Sequence, residues 1–306
     1  MKVVVIGFGS IGRRHHEILT GMGLDVSIVS RRNLEEVKSY GAIGSALDGE
    51  KNVSYVVVAS ETSEHISAYN ELCTQGFSGA VLIEKPLFEK PYRPAPPPFK
   101  GYVAYNLRFH PALMELRSLI FKDRIESCVA YCGQYLPTWR KGRDYRLGYS
   151  GYSERGGGVL RDLSHELDYI SWFFGDWSEL TAVGGKYSHL EIESDDIFTA
   201  ILKMDRCPHV VVHVNYLDRR PRREIIVNGS SGQITCDLIE GAIYCGDEKR
   251  RFDICDRNLT YKGMHQAIIE GNRGSGLCTL DEGTKIVDMI HLIECSSRRG
   301  EKVFNR

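Results

Sequence analysis

At 306 residues, the chain is long enough for two ordinary domains, and a chain of that size needs neither disulfides nor metals to hold a core together. Its 42% hydrophobic residues, 26% charged residues and 31 glycines exclude disordered and collagen-like classes. Thirty-nine Lys and Arg offset 40 Asp and Glu, and the formal charge of -1 excludes a global field for nucleic acid or anionic lipid.

From residue 1 to about residue 105, short β-branched runs alternate with longer amphipathic stretches, the pattern of βαβ units. The predicted strands are Lys2 to Ile6, Asp25 to Ser30, Ser54 to Ala59, Ala80 to Glu84 and Gly101 to Tyr105. Near-continuous Val and Ile, as in Tyr55-Val56-Val57-Val58, suit parallel strands covered on both faces. Six of the ten prolines lie between Pro86 and Pro98, so this connection is expected to be an extended tether without a crossover helix. The missing helix is expected to expose one sheet face, open to a partner subunit.

Beyond residue 105 the order changes. A helix is expected over Pro111 to Phe121, a strand near Ser127 to Gly133, a polar loop to Gly158, and a helix from about Arg161 to Phe174. Strands follow over Phe198 to Met204, Val210 to Tyr216, Arg223 to Asn228 and Gln233 to Leu238, with a closing helix over Asp281 to Ser297. The fold class is therefore α/β: an N-terminal Rossmann domain (1–105) with a doubly wound parallel sheet, and a C-terminal α+β domain (106–306) on a largely antiparallel sheet. No run reaches the ~18 apolar residues of a membrane span and the N-terminus lacks the layout of a signal peptide, so a cytoplasmic location is expected. Nine cysteines without zinc or redox spacing point to reduced thiols, and no metal is expected.

Gly7-Phe8-Gly9-Ser10-Ile11-Gly12 is a GxGxxG that follows a strand and opens a helix. The first glycine permits a tight turn, the second admits a pyrophosphate to the backbone, and the third allows close helix packing. About 20 residues on, where an acidic residue would hold the ribose 2′-hydroxyl of NAD, stand Ser30-Arg31-Arg32. A hydroxyl and guanidinium groups suit a 2′-phosphate, so NADP(H) is expected to be preferred, with NAD(H) possible.

After the next strand come Ser60, Glu61, Thr62, Ser63, Glu64 and His65, and after the fourth come Glu84-Lys85-Pro86. Together with Asn106-Leu107-Arg108-Phe109-His110-Pro111 and the segment Gly156 to Asp168, these resemble the Gfo/Idh/MocA family, which includes glucose-fructose oxidoreductase and inositol dehydrogenase. The resemblance implies an NAD(P)-dependent oxidoreductase with Ser60, Thr62, His65, Glu84 and Lys85 at the cofactor. It also implies that Lys85 lies beside nicotinamide and substrate. Hydride transfer at a carbinol carbon needs a group to carry the hydroxyl proton and a positive dipole near the oxygen. Lys85, at the carboxyl end of a parallel strand, suits that role.

On a continuous helix from Arg161, Asp162 and His165 share a face, with Tyr169 close by and Leu163, Leu167, Ile170 and Phe174 on a separate buried stripe. His165 is the expected acid/base and Asp162 its support. Family members often carry this pair four apart instead of three. The loop after Gly133 offers Tyr135, Trp139, Arg140, Arg143 and Tyr145 for sugar stacking and anion pairing, and Arg108 is a further candidate for an anionic group. His110 is expected to shape a turn. The run Arg219 to Arg223 is expected to be a solvated hairpin tip.

The loop resembles that of family members associated with surface-polysaccharide and nonulosonic-acid synthesis. The expected reaction is hydride exchange with a hydroxyl or ketone of a sugar derivative, a nucleotide-linked sugar or sugar acid. The competing readings are a non-catalytic dinucleotide-binding sensor or scaffold, and a biliverdin reductase-like enzyme acting on a non-sugar. The expected partners are a small-molecule substrate and further copies of the chain in a homodimer or homotetramer, without nucleic acid or membrane.

Overall fold

A computed structural model describes residues 1–140, 142–271 and 276–305. In chain order the first elements are β1 (Lys2–Ile6), α1 (Ser10–Gly21), β2 (Asp25–Val29), β3 (Ser39–Tyr40), α2 (Ile43–Gly49), β4 (Val53–Val58), α3 (His65–Thr74), β5 (Ala80–Ile83) and β6 (Lys100–Val103). There follow α4 (Pro111–Ile120), β7 (Ile125–Gly133), α5 (Val159–Asp162), α6 (His165–Phe174), β8 (Trp177–Gly185), β9 (Ile197–Met204), β10 (Cys207–Asn215) and β11 (Arg222–Gly229). The last are β12 (Gly232–Asp237), β13 (Ala242–Cys245), β14 (Glu248–Arg251), α7 (Leu259–Ile269), β15 (Cys278–Thr279), α8 (Leu280–Arg299) and β16 (Val303–Phe304). No helix among the described residues is long and apolar enough to cross a membrane.

The first compact unit holds residues 1–106 and Asn258–Val287. Among the described residues its sheet runs β15-β6-β5-β4-β1-β2-β3, parallel except for the antiparallel pairing of β15 on β6. Val3, Val4, Val5, Val56, Val57, Val58, Val81, Leu82 and Ile83 are fully buried, as continuous β-branched runs in a doubly covered parallel sheet require. The order places the carboxyl ends of β5, β4 and β1 side by side.

Two expectations about this unit are corrected. The second domain does not run continuously over 106–306, because Asn258–Val287 belongs with the first unit: Cys278 and Thr279 pair with Val103 and Tyr102, and Leu280 packs where a side chain on Gly101 would stand. The sheet face beside the proline-rich connection is not left open either. No helix forms over 86–98, but Phe88 and Phe99 come within 6.0 and 5.4 Å of Tyr69, centroid to centroid, and all three are buried. The Tyr69 hydroxyl donates to the Ala95 carbonyl at 2.9 Å, so aromatic packing from the tether itself covers what a helix would have covered.

The second unit holds Leu107–Arg257 and Asp288–Arg306. Its sheet runs β14-β13-β12-β11-β7-β10-β9-β8-β16, antiparallel except between β7 and β10. Alternation along β9 buries Phe198, Ala200, Leu202 and Met204 and turns Thr199, Ile201 and Lys203 outward, the signature of a sheet packed on one face.

Candidate active site

In the first unit the glycine turn is built as a dinucleotide cradle. Gly7 has φ +96°, and a Cβ there would stand 2.7 Å from the Ala59 carbonyl, so the turns after β1 and β4 touch at their backbones. A Cβ on Gly12 would stand 2.1 Å from the Gly7 carbonyl, which fixes α1 against the turn. On Gly9 a Cβ would meet nothing within 4 Å. The middle glycine is therefore required not by the protein's own packing but by whatever approaches from outside, the role a pyrophosphate explains. Gly9 caps α1 without a side-chain hydrogen bond, which leaves Ser10, Ile11 and Gly12 in a first turn whose orphan N–H groups suit an anion. Ser60, at the adjoining turn, has a buried Oγ with no hydrogen-bond partner among the described residues. These residues fit a dinucleotide.

Phe8 is buried between His16, edge on, and the Arg13 guanidinium at 4.3 Å. After β2, the Arg32 amide donates to Ser30 Oγ at 3.1 Å and its guanidinium donates to the Phe8 carbonyl at 2.5 Å, tying this turn to the glycine turn. The exposed Arg31 pairs with Glu64.

Lys85 leaves β5 at the same sheet edge, next to a cis Lys85–Pro86 bond. Its amide donates to Glu84 Oε2 at 3.2 Å, and Glu84 is buried. His65 has a role different from the expected one. It is buried, with Nδ1 at 3.2 and 3.1 Å from the Pro86 and Leu87 carbonyls and Nε2 at 3.3 Å from the Ser60 carbonyl. Burial lowers its pKa, and the ring lies against the turn after Lys85 with Nδ1 toward the Pro86 and Leu87 carbonyls, inside the protein. Thr62 opens the short turn before α3 and is buried.

In the second unit the expected continuous helix is broken. α5 ends at Asp162, Leu163 sits at φ -103°, ψ 32°, and α6 begins at His165. Asp162 and His165 therefore do not share a face of one helix. The break is held by contacts distant in sequence: Asp162 accepts from the Tyr216 hydroxyl at 2.6 Å, while Asp195 accepts the Leu160 amide at 3.2 Å. The Asp162 charge and burial push the Tyr149 phenol well up, and burial with Asp162 does the same to Tyr216, so both phenols stay protonated beside this carboxylate. Burial pushes Asp195 up to about 6.

The expected separation of a polar and a buried side on α6 also fails. Leu163, Leu167, Ile170 and Phe174 are buried, but so are His165, Glu166, Asp168 and Tyr169. The carboxylates are neutralised by forked guanidinium groups: Arg108 reaches Asp168 at 2.8 to 3.1 Å, and Arg223 reaches Glu166 at 2.7 and 3.0 Å. Arg108 is 2% exposed, so it is a partner of Asp168 within the protein and not a surface group awaiting an anion. Arg223 likewise leaves the expected solvated run, of which Arg219, Arg220 and Arg222 remain exposed. His110 caps α4, its Nδ1 accepting the Ala112 amide at 3.2 Å; burial and the Arg223 charge lower its pKa to about 4.

The loop after β7 folds into short 3-10 turns. Trp139 stands edge on to Tyr216 at 5.2 Å, and Arg140 lies over Tyr149 at 5.3 Å, so both approach the Asp162 cluster. Tyr135 is covered by Arg219 at 3.7 Å, and the Tyr145 hydroxyl accepts the Glu191 amide at 3.3 Å. Arg143 is exposed, and Lys141 in the same loop lies outside the described residues. Tyr216 and Asp195 escaped the sequence reading because each lies far along the chain from Asp162, and Tyr149 because it stands in the irregular loop before α5. The only signal was an aromatic residue closing the expected strand Val210 to Tyr216.

Residues 1–93 match the family described as "Oxidoreductase family, NAD-binding Rossmann fold", and residues 114–235 match the "GFO/IDH/MocA C-terminal domain". The chain belongs to the Gfo/Idh/MocA family and is an oxidoreductase with an NAD-binding Rossmann domain. Among solved structures it is similar to GenD2 from gentamicin A biosynthesis in complex with NAD, at 20% identity and TM-score 0.81, covering 100% of this chain and 96% of that one. It is similar to the WlbA dehydrogenase of Bordetella pertussis in complex with NADH and UDP-GlcNAcA, at 17% identity and TM-score 0.79, covering 100% and 98%. It is also similar to levoglucosan dehydrogenase in complex with NADH and levoglucosan, at 15% identity and TM-score 0.82, covering 100% and 99%. No curated protein sequence matches the chain.

Proposed function

We propose that this oxidoreductase transfers hydride between a nicotinamide cofactor, NADP(H) in preference to NAD(H), and a hydroxyl or ketone of a nucleotide-linked sugar or sugar acid, in the synthesis of cell-surface glycans. The observation that carries the reading is the convergence of the Gly7 turn, the Ser60 turn and Lys85 on one edge of the parallel sheet. Similarity to WlbA in complex with UDP-GlcNAcA supports the substrate class.

The glycine turn and the start of α1 would hold the pyrophosphate, Ser60 the adjoining part of the dinucleotide, and Arg31 with Ser30 a 2′-phosphate. When bound, the nicotinamide supplies the hydride acceptor or donor. Lys85 carries the proton of the reacting hydroxyl and presents positive charge where oxygen becomes negative. His165 is assigned a proton-handling role and Asp162 a supporting one, with Trp139, Arg140 and Arg143 for the substrate. Arg108 and His65 are withdrawn from ligand contact, since both are occupied inside the protein. We further propose a homodimer or homotetramer.

With UDP-linked N-acetylglucosaminuronic acid as probe, Lys85→Ala should lower turnover by about 10²- to 10⁴-fold, the usual worth of a positioned acid/base group. Its affinity for NADH, read by fluorescence titration, should stay as in wild type. Wild-type turnover in this variant would overturn the assignment. Arg31→Ala should weaken NADPH by about tenfold or more while NADH changes little, because only the former carries the extra phosphate. Equal loss for both cofactors would remove the NADP preference.

A further inference from the structure

Behind Lys85, inside the first unit, four polar side chains form an unbroken buried chain. The Tyr55 hydroxyl lies 2.8 Å from His265 Nδ1, His265 Nε2 lies 2.8 Å from His15 Nδ1, and His15 Nε2 lies 2.8 Å from Glu84 Oε1. Tyr55, His265 and His15 are 0% exposed and Glu84 is 7% exposed. They come from β4, α7, α1 and the residue that follows β5.

Where each imidazole carries a single N–H, donor and acceptor chemistry gives the chain one direction. A carboxylate only accepts, so His15 Nε2 carries the proton that Glu84 receives, and His15 Nδ1 must then accept from His265 Nε2–H. His265 Nδ1 is left to accept from Tyr55. Burial lowers the His265 pKa well below the usual value, and burial with the Glu84 charge raises that of Tyr55, so His265 is an uncharged imidazole and Tyr55 an intact phenol. Hydrogen bonds aligned in this way polarise one another toward the carboxylate. Burying four polar groups is costly, and an apolar filling of the same volume would serve stability as well. The chain terminates on Glu84, whose other oxygen accepts the Lys85 amide at 3.2 Å.

We propose that His15 and His265 are positioning residues for Lys85: the hydrogen-bond chain that begins at Tyr55 orients the Glu84 carboxylate, and Glu84 in turn fixes the backbone from which the Lys85 side chain extends. The functional meaning rests on the reading of Lys85 as a catalytic residue, whereas the coupling itself does not. It also explains why α7, contributed from residues beyond 258, packs in the first unit.

Hydrogen exchange of individual amides, followed by NMR on the full chain, reads the coupling without any substrate. In His15→Phe the Lys85 amide should exchange about tenfold faster, the loss expected when a single hydrogen bond worth about 1.4 kcal/mol is released. Tyr55→Phe, which deletes one hydroxyl and keeps the packing, should act in the same direction by a smaller factor. His15→Gln, whose amide can donate to Glu84, should restore slow exchange. Val57 and Leu82, core positions of the same sheet, should be unaffected in all three. An unchanged Lys85 amide in both Phe variants, or acceleration shared equally by Val57 and Leu82, would overturn the proposal. In turnover with the UDP-linked sugar acid and NAD+, His15→Phe should lower kcat and leave KM for NAD+ unchanged; a rise in KM alone would overturn a role at Lys85. If the Lys85 amide responds but Lys85→Ala turns over normally, the coupling stands and the catalytic reading of Lys85 falls.

Discussion

Gly9 and Gly12 stand three residues apart and are required for opposite reasons. A methyl group on Gly12 would be driven into the Gly7 carbonyl, whereas one on Gly9 would enter open space. Gly12→Ala is therefore expected to destabilise the fold by about 1–3 kcal/mol, as overpacking does. Gly9→Ala should unfold as wild type yet bind NADH at least tenfold more weakly, since its methyl occupies the approach of the pyrophosphate. Thermal unfolding and fluorescence titration separate the two; a Gly9→Ala protein with wild-type affinity would show that no ligand uses this turn. The motif was legible in the sequence because it depends on spacing alone. Its division into a packing glycine and a binding glycine was expected from the motif, and the structure adds what lies above each Cα.

At the scale of elements, Glu50 at the end of α2 gathers the open edge of the parallel sheet. It accepts from Lys2 at 2.6 Å, Tyr40 at 3.1 Å and Ser27, and pairs with Lys38 at 2.7 Å. Burial opposes its charge, but the hydrogen bonds from Lys2, Lys38, Ser27 and Tyr40 outweigh burial and hold the carboxyl at about 2, below its ordinary 4.5. A carboxyl with a depressed folded pKa adds stability above its unfolded value and loses it as pH falls through the folded one. The contribution should be complete above pH 4.5 and vanish progressively toward pH 2. Glu50→Gln should therefore lower stability at pH 7 by about 2–3 kcal/mol, as expected for hydrogen bonds to a charged group, and flatten the acid limb of stability against pH. An unchanged acid limb would mean that Glu50 is not the titrating group. Amphipathic spacing revealed the helices and strands themselves, yet it read α5 and α6 as one helix. The spacing of Leu163, Leu167, Ile170 and Phe174 is correct for burial. What breaks the helix is the pull of Tyr216 and Asp195 on residues 160–162, which no local pattern encodes.

At the scale of the whole molecule, the first unit is discontinuous in sequence. Residues 1–106 lack the strand that pairs with β6, the Leu280 side chain that fills the space over Gly101, and the imidazole that His15 and Tyr55 meet. A fragment of residues 1–106 should show no cooperative thermal transition, while the same fragment joined by a flexible linker to residues 258–287 should regain one and bind NADH. Cooperative unfolding of the short fragment by circular dichroism would refute this. The composition of residues 258–287 resembles that of any other helix and loop, which is why the division was placed at a single point in the sequence.

By itself the sequence determined the fold class, the glycine turn and the Lys85 position, because each follows from short-range regularities: β-branched runs, helical spacing, and glycines or prolines where the backbone demands them; the family followed from the resemblance of its motifs in order. Only the tertiary structure decided which polar residues are spent inside the protein. Arg108 and His65 look in sequence like groups awaiting a ligand and Arg223 like part of a solvated hairpin tip, yet each is engaged by partners elsewhere in the chain. A buried charge or hydrogen-bonding group must be matched wherever the chain happens to meet it, and that meeting is set by long-range packing, not by neighbours in sequence.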